Sequence, residues 1–460
     1  LSATPVNNRF YDLRNQLALA YEGDPSEFNE KLNIKSDIDT IFRQAQKVYN
    51  AWCKLPEKER TTANLLSQLD FDFFEVLDSV TIARSRKHIQ TYYDVADIGN
   101  FPKRNKPISL RPKLTTRPNA INYKEVYELL SKLHLTIYTP TAFIQPSKLQ
   151  KYLSEDETEK FRSGRELGIQ RLMSINLLKR MESSVHSFLL TVKRIYDYLY
   201  DTSHAIDDFI ATGANSLNEM PDLSGEADEF DYDDQNTDFF NVGKKVKIDL
   251  RDMDYISWKR EMDEDIDNLQ LLILMIEDIT PEYDFKLNEL IRIIREKAAA
   301  PINPCNKKIL IFTAFSDTAE YLYENISGMA LKELGLHTAL VTGSVDGKTT
   351  IPKFKPDMNH VLACFSPKSK DRDVLYPKDK TDIDILIATD CISEGQNLQD
   401  CDYCVNYDIH WNPVRIIQRF GRIDRIGSKN AVIQLVNFWP DLDLDEYINL
   451  KSRVETRMRI

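Results

Sequence analysis

The sequence predicts an α/β fold: a parallel sheet with helices on both faces, preceded by a large, mainly α-helical region. Two successive patterns along the chain carry that prediction. From Lys31 to Lys297, apolar residues recur at helical spacing in LLSQLDFDFFEVLDSV, YKEVYELLSKLHL, GIQRLMSINLLKRMESSVHSFLLTVKRIYDYLY and WKREMDEDIDNLQLLILMIEDI. After Pro301 and Pro304 the pattern becomes short apolar runs separated by polar helical stretches: KKILIFTAF, HTALVTG, IDILIATD, DYCVNYD and AVIQLVNFW. Strands that alternate with helices and are apolar throughout belong to parallel sheets covered on both faces. A domain boundary is therefore placed near Pro301.

At 460 residues the chain exceeds one ordinary core, and roughly 150 residues per domain suggests several modules. Its 42% hydrophobic and 29% charged content is that of a soluble globular protein, and no apolar run reaches the ~20 residues that cross a bilayer. No membrane association is expected. The first residue is Leu1, no signal-like leader follows it, and both ends read as cut sites. Six scattered cysteines suggest a reducing compartment, with the cytoplasm as the default. Cys401 and Cys404 form a CxxC with no second pair. They read as small core thiols, and no metal is predicted.

The net charge of −12 conceals an uneven distribution. Residues 215–240 (NSLNEMPDLSGEADEFDYDDQNTDFF) are strongly acidic with few large aliphatics, and read as a solvated, mobile insertion. Arg84 to Arg117 is rich in Lys and Arg with tyrosines interleaved. Such a stretch can meet phosphates, and from composition alone it can equally be a solvated basic loop.

In parallel sheets ligands sit at the carboxyl ends of the strands, so the residues after each run are informative. These are Ser316-Asp317 after KILIFTAF, CISEGQNLQ after DILIATD, and IHWNP after DYCVNYD. The segment WNPVRIIQRFGRIDRIGS then reads as a capped helix, with Asn412 as N-cap, Pro413 at the first position and Gly427 at the end. Gln418, Arg422 and Arg425 are spaced to share one face, whereas Ile416, Phe420 and Ile423 share the opposite one. On this reading the apolar stripe packs and the arginines project. Two fixed guanidinium groups suit an oligophosphate, because their planar forks bind phosphate oxygens and stabilise charge during phosphoryl transfer. The plainer alternative is an exposed face paired with carboxylates such as Asp424.

In these residues the sequence resembles the Swi/Snf-type family of superfamily-two helicases. QRFGRIDRIG (Gln418 to Gly427) is similar to its motif VI, ATDCISEGQNLQ (Ala388 to Gln399) to motif V, and ILIFTAFSDT (Ile309 to Thr318) to motif IV. The VTGS strand end and NYDIHWNP fall in the same order, LSATPVNN (Leu1 to Asn8) resembles motif III, and IARSRKHI and LLKRMESS look like the bacterial branch. The resemblance implies a two-lobed motor that binds ATP between RecA-like lobes and steps along nucleic acid. On this view residues 1–30 are the tail of the first lobe, 31–300 a helical protrusion or linker, and 301–460 the second lobe.

Carried over by motif, Arg422 and Arg425 reach the γ-phosphate, Gln418 assists, and Glu394 and Gly395, with Asp390 and Gly421, line the nucleotide. Thr389, Ser393 and Ser316 contact strand phosphates, and Arg84, Arg86 and Lys87 are backbone contacts. A phosphate-cradling GxxxxGK[ST] loop and a magnesium-binding DExx strand are both needed for hydrolysis, and neither is present. The nearest stretch, GSVDGKT (Gly343 to Thr349), has three residues between its glycines instead of four. ATP and magnesium are therefore expected to be held mainly by a first lobe outside this sequence, and the fragment alone is expected to be inactive. Duplex DNA is the expected partner ahead of RNA. A protein partner docking on the helical and acidic regions is the competing function.

Overall fold

The computed structural model describes residues 10–20, 34, 36–52, 55, 59–80, 86, 89, 99–118, 120–152, 159–213, 249–343, 347–393, 395–410 and 413–440. The motif III-like segment, the acidic stretch 215–240, Arg84, Lys87, Glu394 and the N-cap position Asn412 lie outside the described residues. No helix among the described residues is long and apolar enough to cross a membrane.

The architecture is α/β, as the alternating runs predict. Each apolar run becomes one strand: β3 (Ile309–Phe312), β4 (Thr338–Val341), β6 (Ile385–Ala388), β7 (Tyr403–Asn406) and β8 (Val432–Phe438). They stand in the order β8-β7-β3-β6-β4, all parallel, and the short β5 (Lys348–Thr349) pairs antiparallel with β4. Successive residues of a strand face opposite ways. Ile309 and Ile311 thus enter a core with α9 (Phe285–Ala299) and α10 (Ser316–Leu334), while Leu310 and Phe312 enter another with α11 (Met358–Phe365). Cys401 and Cys404 are buried in that second core, where desolvation pushes the Cys401 thiol up to about 12.

One feature is absent from the sequence expectation. Within the span read as helical, β1 (Lys103–Arg104) and β2 (Ile108–Leu110) run parallel along the outer edge of β8. An unpaired sheet edge exposes a row of backbone donors and acceptors, and this strap satisfies it. Lys103 N donates to Ala431 O at 2.9 Å, Asn105 N to Ile433 O at 3.0 Å, and Trp439 N to Leu110 O at 2.8 Å.

Among the described residues the helical region has two cores. A small one joins α1 (Phe10–Ala20), α2 (Ile38–Trp52) and α4 (Phe71–Val80) through Leu13, Ile41, Phe42 and Phe73; α3 (Thr62–Gln68) precedes α4. The larger one packs α5 (Tyr123–Leu130), α6 (Glu159–Ser183), α7 (Val185–Thr212) and α8 (Tyr255–Glu277) around Phe188, Leu199, Trp258 and Met262. The LLKRMESS run is not continuous helix. Ser184 is extended (φ −155°, ψ 149°) and caps α7 by accepting from Ser187 N at 3.0 Å, so α6 and α7 form a hairpin with its turn at the serines.

Candidate functional site

The hairpin turn seats itself on the carboxyl ends of β3 and β7. Thr313, directly after β3, donates to Asp408 Oδ2 at 2.5 Å, and Ala314 N donates to both Asp408 oxygens at 2.9 and 3.0 Å. Ser183 Oγ reaches the same carboxylate at 2.7 Å and meets Thr318 Oγ1 at 2.8 Å. Arg180, 1% exposed, donates to Asp317 Oδ2 at 2.9 Å and lies over the Phe315 ring. Lys286 Nζ donates to the carbonyls of Glu182 and Ser183. Burial pushes the Glu182 carboxyl up to about 8, although the neighbouring Lys286 draws it down. The polar residues after β3 are thus partly consumed by the helical region, and Ser316 opens α10 almost buried.

Beyond β6, Thr389 N bonds Val341 O at 3.2 Å, and a 3-10 turn spans Asp390–Ile392. Ser393 is completely buried, and its hydroxyl has no hydrogen-bond partner among the described residues. The Asp390 carboxylate is gripped by Arg419, whose Nε and Nη2 donate to its two oxygens at 2.6 and 2.7 Å, the bidentate geometry of a planar fork. Arg419 is fully buried and also donates to Asp408 O at 3.1 Å. Burial alone would raise the Asp390 carboxyl, but the adjacent guanidinium outweighs it and holds the group below the usual range. Periodicity gave Arg419 no role.

The helix that carries Gln418, α13 (Pro413–Phe420), is shorter than its periodicity suggests. It stops at Phe420 and gives way to turns, so Gly427, though left-handed (φ 76°), is not its cap. The proposed stripe also splits. Ile416 packs into the helical-region core, whereas Ile423 enters the core on the α11 side of the sheet. Nor do the arginines project freely. Arg422 is 8% exposed and donates from Nε to Gln418 O at 2.9 Å and from Nη1 to Gln396 O at 3.1 Å. Arg425 donates to Gly421 O at 3.0 Å. Leu398 N donates to Arg422 O at 3.0 Å, which brings the segment after β6 against the turn after α13.

A third cation joins them. Lys370 bonds Gln396, the residue that also accepts from Arg422. Its ammonium is held below the ordinary lysine value by burial first, then by Arg425 and Arg422. Gln418, Gly395, Gly421 and Asp390 border this gathering in sequence, whereas Thr389, Ser393 and Ser316 lie at the strand ends. Arg86 is elsewhere, at the strap. The carboxylate offered as a partner for the arginine face, Asp424, turns to the strap as well: Arg86 Nη1 reaches it at 3.0 Å and Arg104 Nε at 2.6 Å.

The site is thus a clustered arginine turn beside the strand-end loops of a parallel sheet. Residues 286–427 match the family model described as the helicase conserved C-terminal domain. The chain is 52% identical over 50 residues to the "Uncharacterized ATP-dependent helicase YqhH" of Bacillus subtilis, covering 11% of this chain and 9% of that one. It is 24% identical over 154 residues to the "DEAD-box ATP-dependent RNA helicase RhpA" of Helicobacter pylori, covering 34% and 25%. Among solved structures, the C-terminal part of the Fun30 ATPase domain aligns with 76% of this chain and 90% of its own length, at 16% identity and a TM-score of 0.34. The chain thus spans well under two thirds of the length of these curated relatives.

Proposed function

We propose that this chain is the second lobe and helical region of an ATP-dependent, duplex-DNA-tracking motor of the Swi/Snf type, acting with a first lobe that holds most of the ATP and its magnesium. The observation that carries this reading is the convergence of Lys370, Arg422 and Arg425 on one turn, where Gln396 accepts from both Lys370 and Arg422. Like charges brought together and partly desolvated cost free energy unless an anion completes the site. A nucleotide triphosphate approaching from a facing lobe is such an anion.

In this mechanism Arg422 and Arg425 neutralise charge on the γ-phosphoryl oxygens as the bond to the β-phosphate breaks and water attacks. Gln418 assists at the same turn, and Gly395, Glu394 and Gly421 line the nucleotide. Asp390 acts through Arg419, fixing α13 against the segment after β6, rather than by touching the nucleotide. Ser316, Thr389 and Ser393 serve the strand phosphates from the carboxyl edge. Ser393 does so only when the loop after β6 opens, because its hydroxyl faces the interior.

The test is DNA- and RNA-stimulated ATP hydrolysis by the full-length protein, with Arg422→Ala and Arg425→Ala beside it. Loss of an arginine finger lowers kcat by about 10³ to 10⁵ with nucleic-acid binding retained. Hydrolysis unchanged in both variants would sink the arginine-finger reading, and stimulation by RNA alone would sink the duplex-DNA assignment.

A further inference from the structure

The described part of the basic stretch singled out in the sequence helps to form a defined cleft. Segments far apart in the chain bring Arg86, Lys103, Arg104 and Lys429 to the walls of one cavity of about 810 Å³, together with Asn100 and Ser428. Four cations in one cleft are not a consequence of composition, since the chain as a whole carries −12. Asp424 beneath them offsets one charge and fixes the geometry, pairing with Arg86 and Arg104. Arg86 is held further by the Phe101 ring, 4.7 Å from its guanidinium carbon. Lys103, Arg104 and Lys429 remain exposed.

We infer that this cleft binds the phosphodiester backbone of a nucleic acid, as a second contact separate from the strand-end loops. Position supports a separate contact. Lys103 pairs with Val432, the first residue of β8, so the cleft lies at the amino edge of the sheet. Ser316 and Thr389 follow the last residues of β3 and β6, at the carboxyl edge. A seven-residue strand such as β8 spans on the order of 20 Å at ~3.3 Å per residue. That length corresponds to about six base pairs of duplex at ~3.4 Å each, so an extended nucleic acid can engage both edges and a mononucleotide cannot. Guanidinium and ammonium groups with amide and hydroxyl donors beside them suit phosphate oxygens without reading base sequence.

This inference rests on the reading of the chain as a nucleic-acid motor, and the experiment separates the two. Binding of the full-length protein to a labelled duplex of about 30 base pairs is measured by fluorescence anisotropy across a salt series, for the wild type, Lys103→Glu/Lys429→Glu and Ser316→Ala/Thr389→Ala. The lysines are exposed, so a matching thermal melt is expected for their double variant. That variant lowers affinity about tenfold or more and reduces the slope of log K against log salt by about two, whereas the hydroxyl variant leaves the slope unchanged. Wild-type affinity and slope in the lysine variant would overturn the cleft and leave the motor reading standing. A wild type that binds no nucleic acid at low salt overturns both. Inorganic tripolyphosphate is the competing source of the same chemistry: if the lysine variant lost its binding but kept duplex binding, the backbone assignment would fail.

Discussion

Replacing Asp390 with Asn tests whether the segment after β6 and the helix α13 are locked together by a buried ion pair. Arg419 is 0% exposed, and its two carboxylate bonds at 2.6 and 2.7 Å are the shortest it makes. With the carboxylate gone, the guanidinium keeps the Asp408 carbonyl, the longer Asn406 contact at 3.5 Å and a long ion pair with the Asp408 carboxylate at 3.7 Å. Breaking one partner of a buried pair costs about 3–5 kcal/mol when the other charge is left alone, and the more distant Asp408 carboxylate places this variant toward the lower end. Substituting both partners with apolar residues of similar size, Asp390→Leu with Arg419→Met, removes that penalty and is near neutral. The cycle of the two single variants and the double one should therefore show a coupling of several kcal/mol. Denaturant titration gives the stabilities, and amide exchange at Ile387 and Val405 shows whether the loss falls on this lobe. The pH dependence carries a second check. Arg419 holds Asp390 below its ordinary 3.8, so this contribution is present above that value and is lost as pH falls toward the lower folded value. Asn at this position should remove the acid limb. A cost under about 1 kcal/mol, or strictly additive single variants, would refute the ion-pair lock.

The other predictions follow the same geometry. Ser183→Ala removes a buried donor to Asp408 and should cost about 1–3 kcal/mol, read by denaturant titration; a change within error would mean that Thr313 and Ala314 satisfy the carboxylate alone. Burial raises Glu182 to about 8 in the folded chain from an ordinary 4.5, so its stabilising share is complete below 4.5 and lost as pH rises through 8. Among Lys286, Asp408 and Arg419, which face it, Glu182→Gln should flatten stability over that window, and an unaltered pH profile would remove Glu182 as its source. Gly99 is left-handed (φ 86°), and an added Cβ would stand 2.9 Å from Gly427 Cα. Gly99→Ala should open the strap at a cost of about 1–3 kcal/mol, visible as faster exchange of the Gly427 amide, which donates to Asn100 O at 3.1 Å. Unchanged exchange would show that the close approach is relieved elsewhere.

What the sequence made legible follows from how local each signal is. The strand runs were recoverable because β3, β4, β6 and β7 are buried on both faces, and burial on both faces leaves mostly apolar residues to write them with. β1 and β2 were not recoverable. They are two and three residues long, mostly exposed, and exist because β8 offers an edge far downstream. The helix α13 was overrun for a related reason. Its apolar spacing continues through Ile423, but that residue answers to the sheet core while Ile416 answers to the helical region, so one stripe on paper serves two cores.

The site divides along the same line. Arg422 and Arg425 drew notice because arginines spaced along a polar face suggest a phosphate. Arg419 carries the same side chain at a buried position, and Asp390, supplied from the loop after β6, together with Asp408 makes that burial tolerable. Nothing in the local pattern announces such a pair, nor the approach of Lys370 to both arginines. The LLKRMESS segment shows the converse. It stood out by resemblance alone, and its physical content is a helical turn whose arginine, glutamate and serines reach Asp317, Ile409 and Asp408 at the carboxyl ends of β3 and β7. A helical region bound there through buried polar groups moves with the lobe as one unit, because separating them would strand several charges away from water. On the proposed motor reading, opening and closing take place at the face that carries Arg422 and Arg425, and not between this helical hairpin and the sheet.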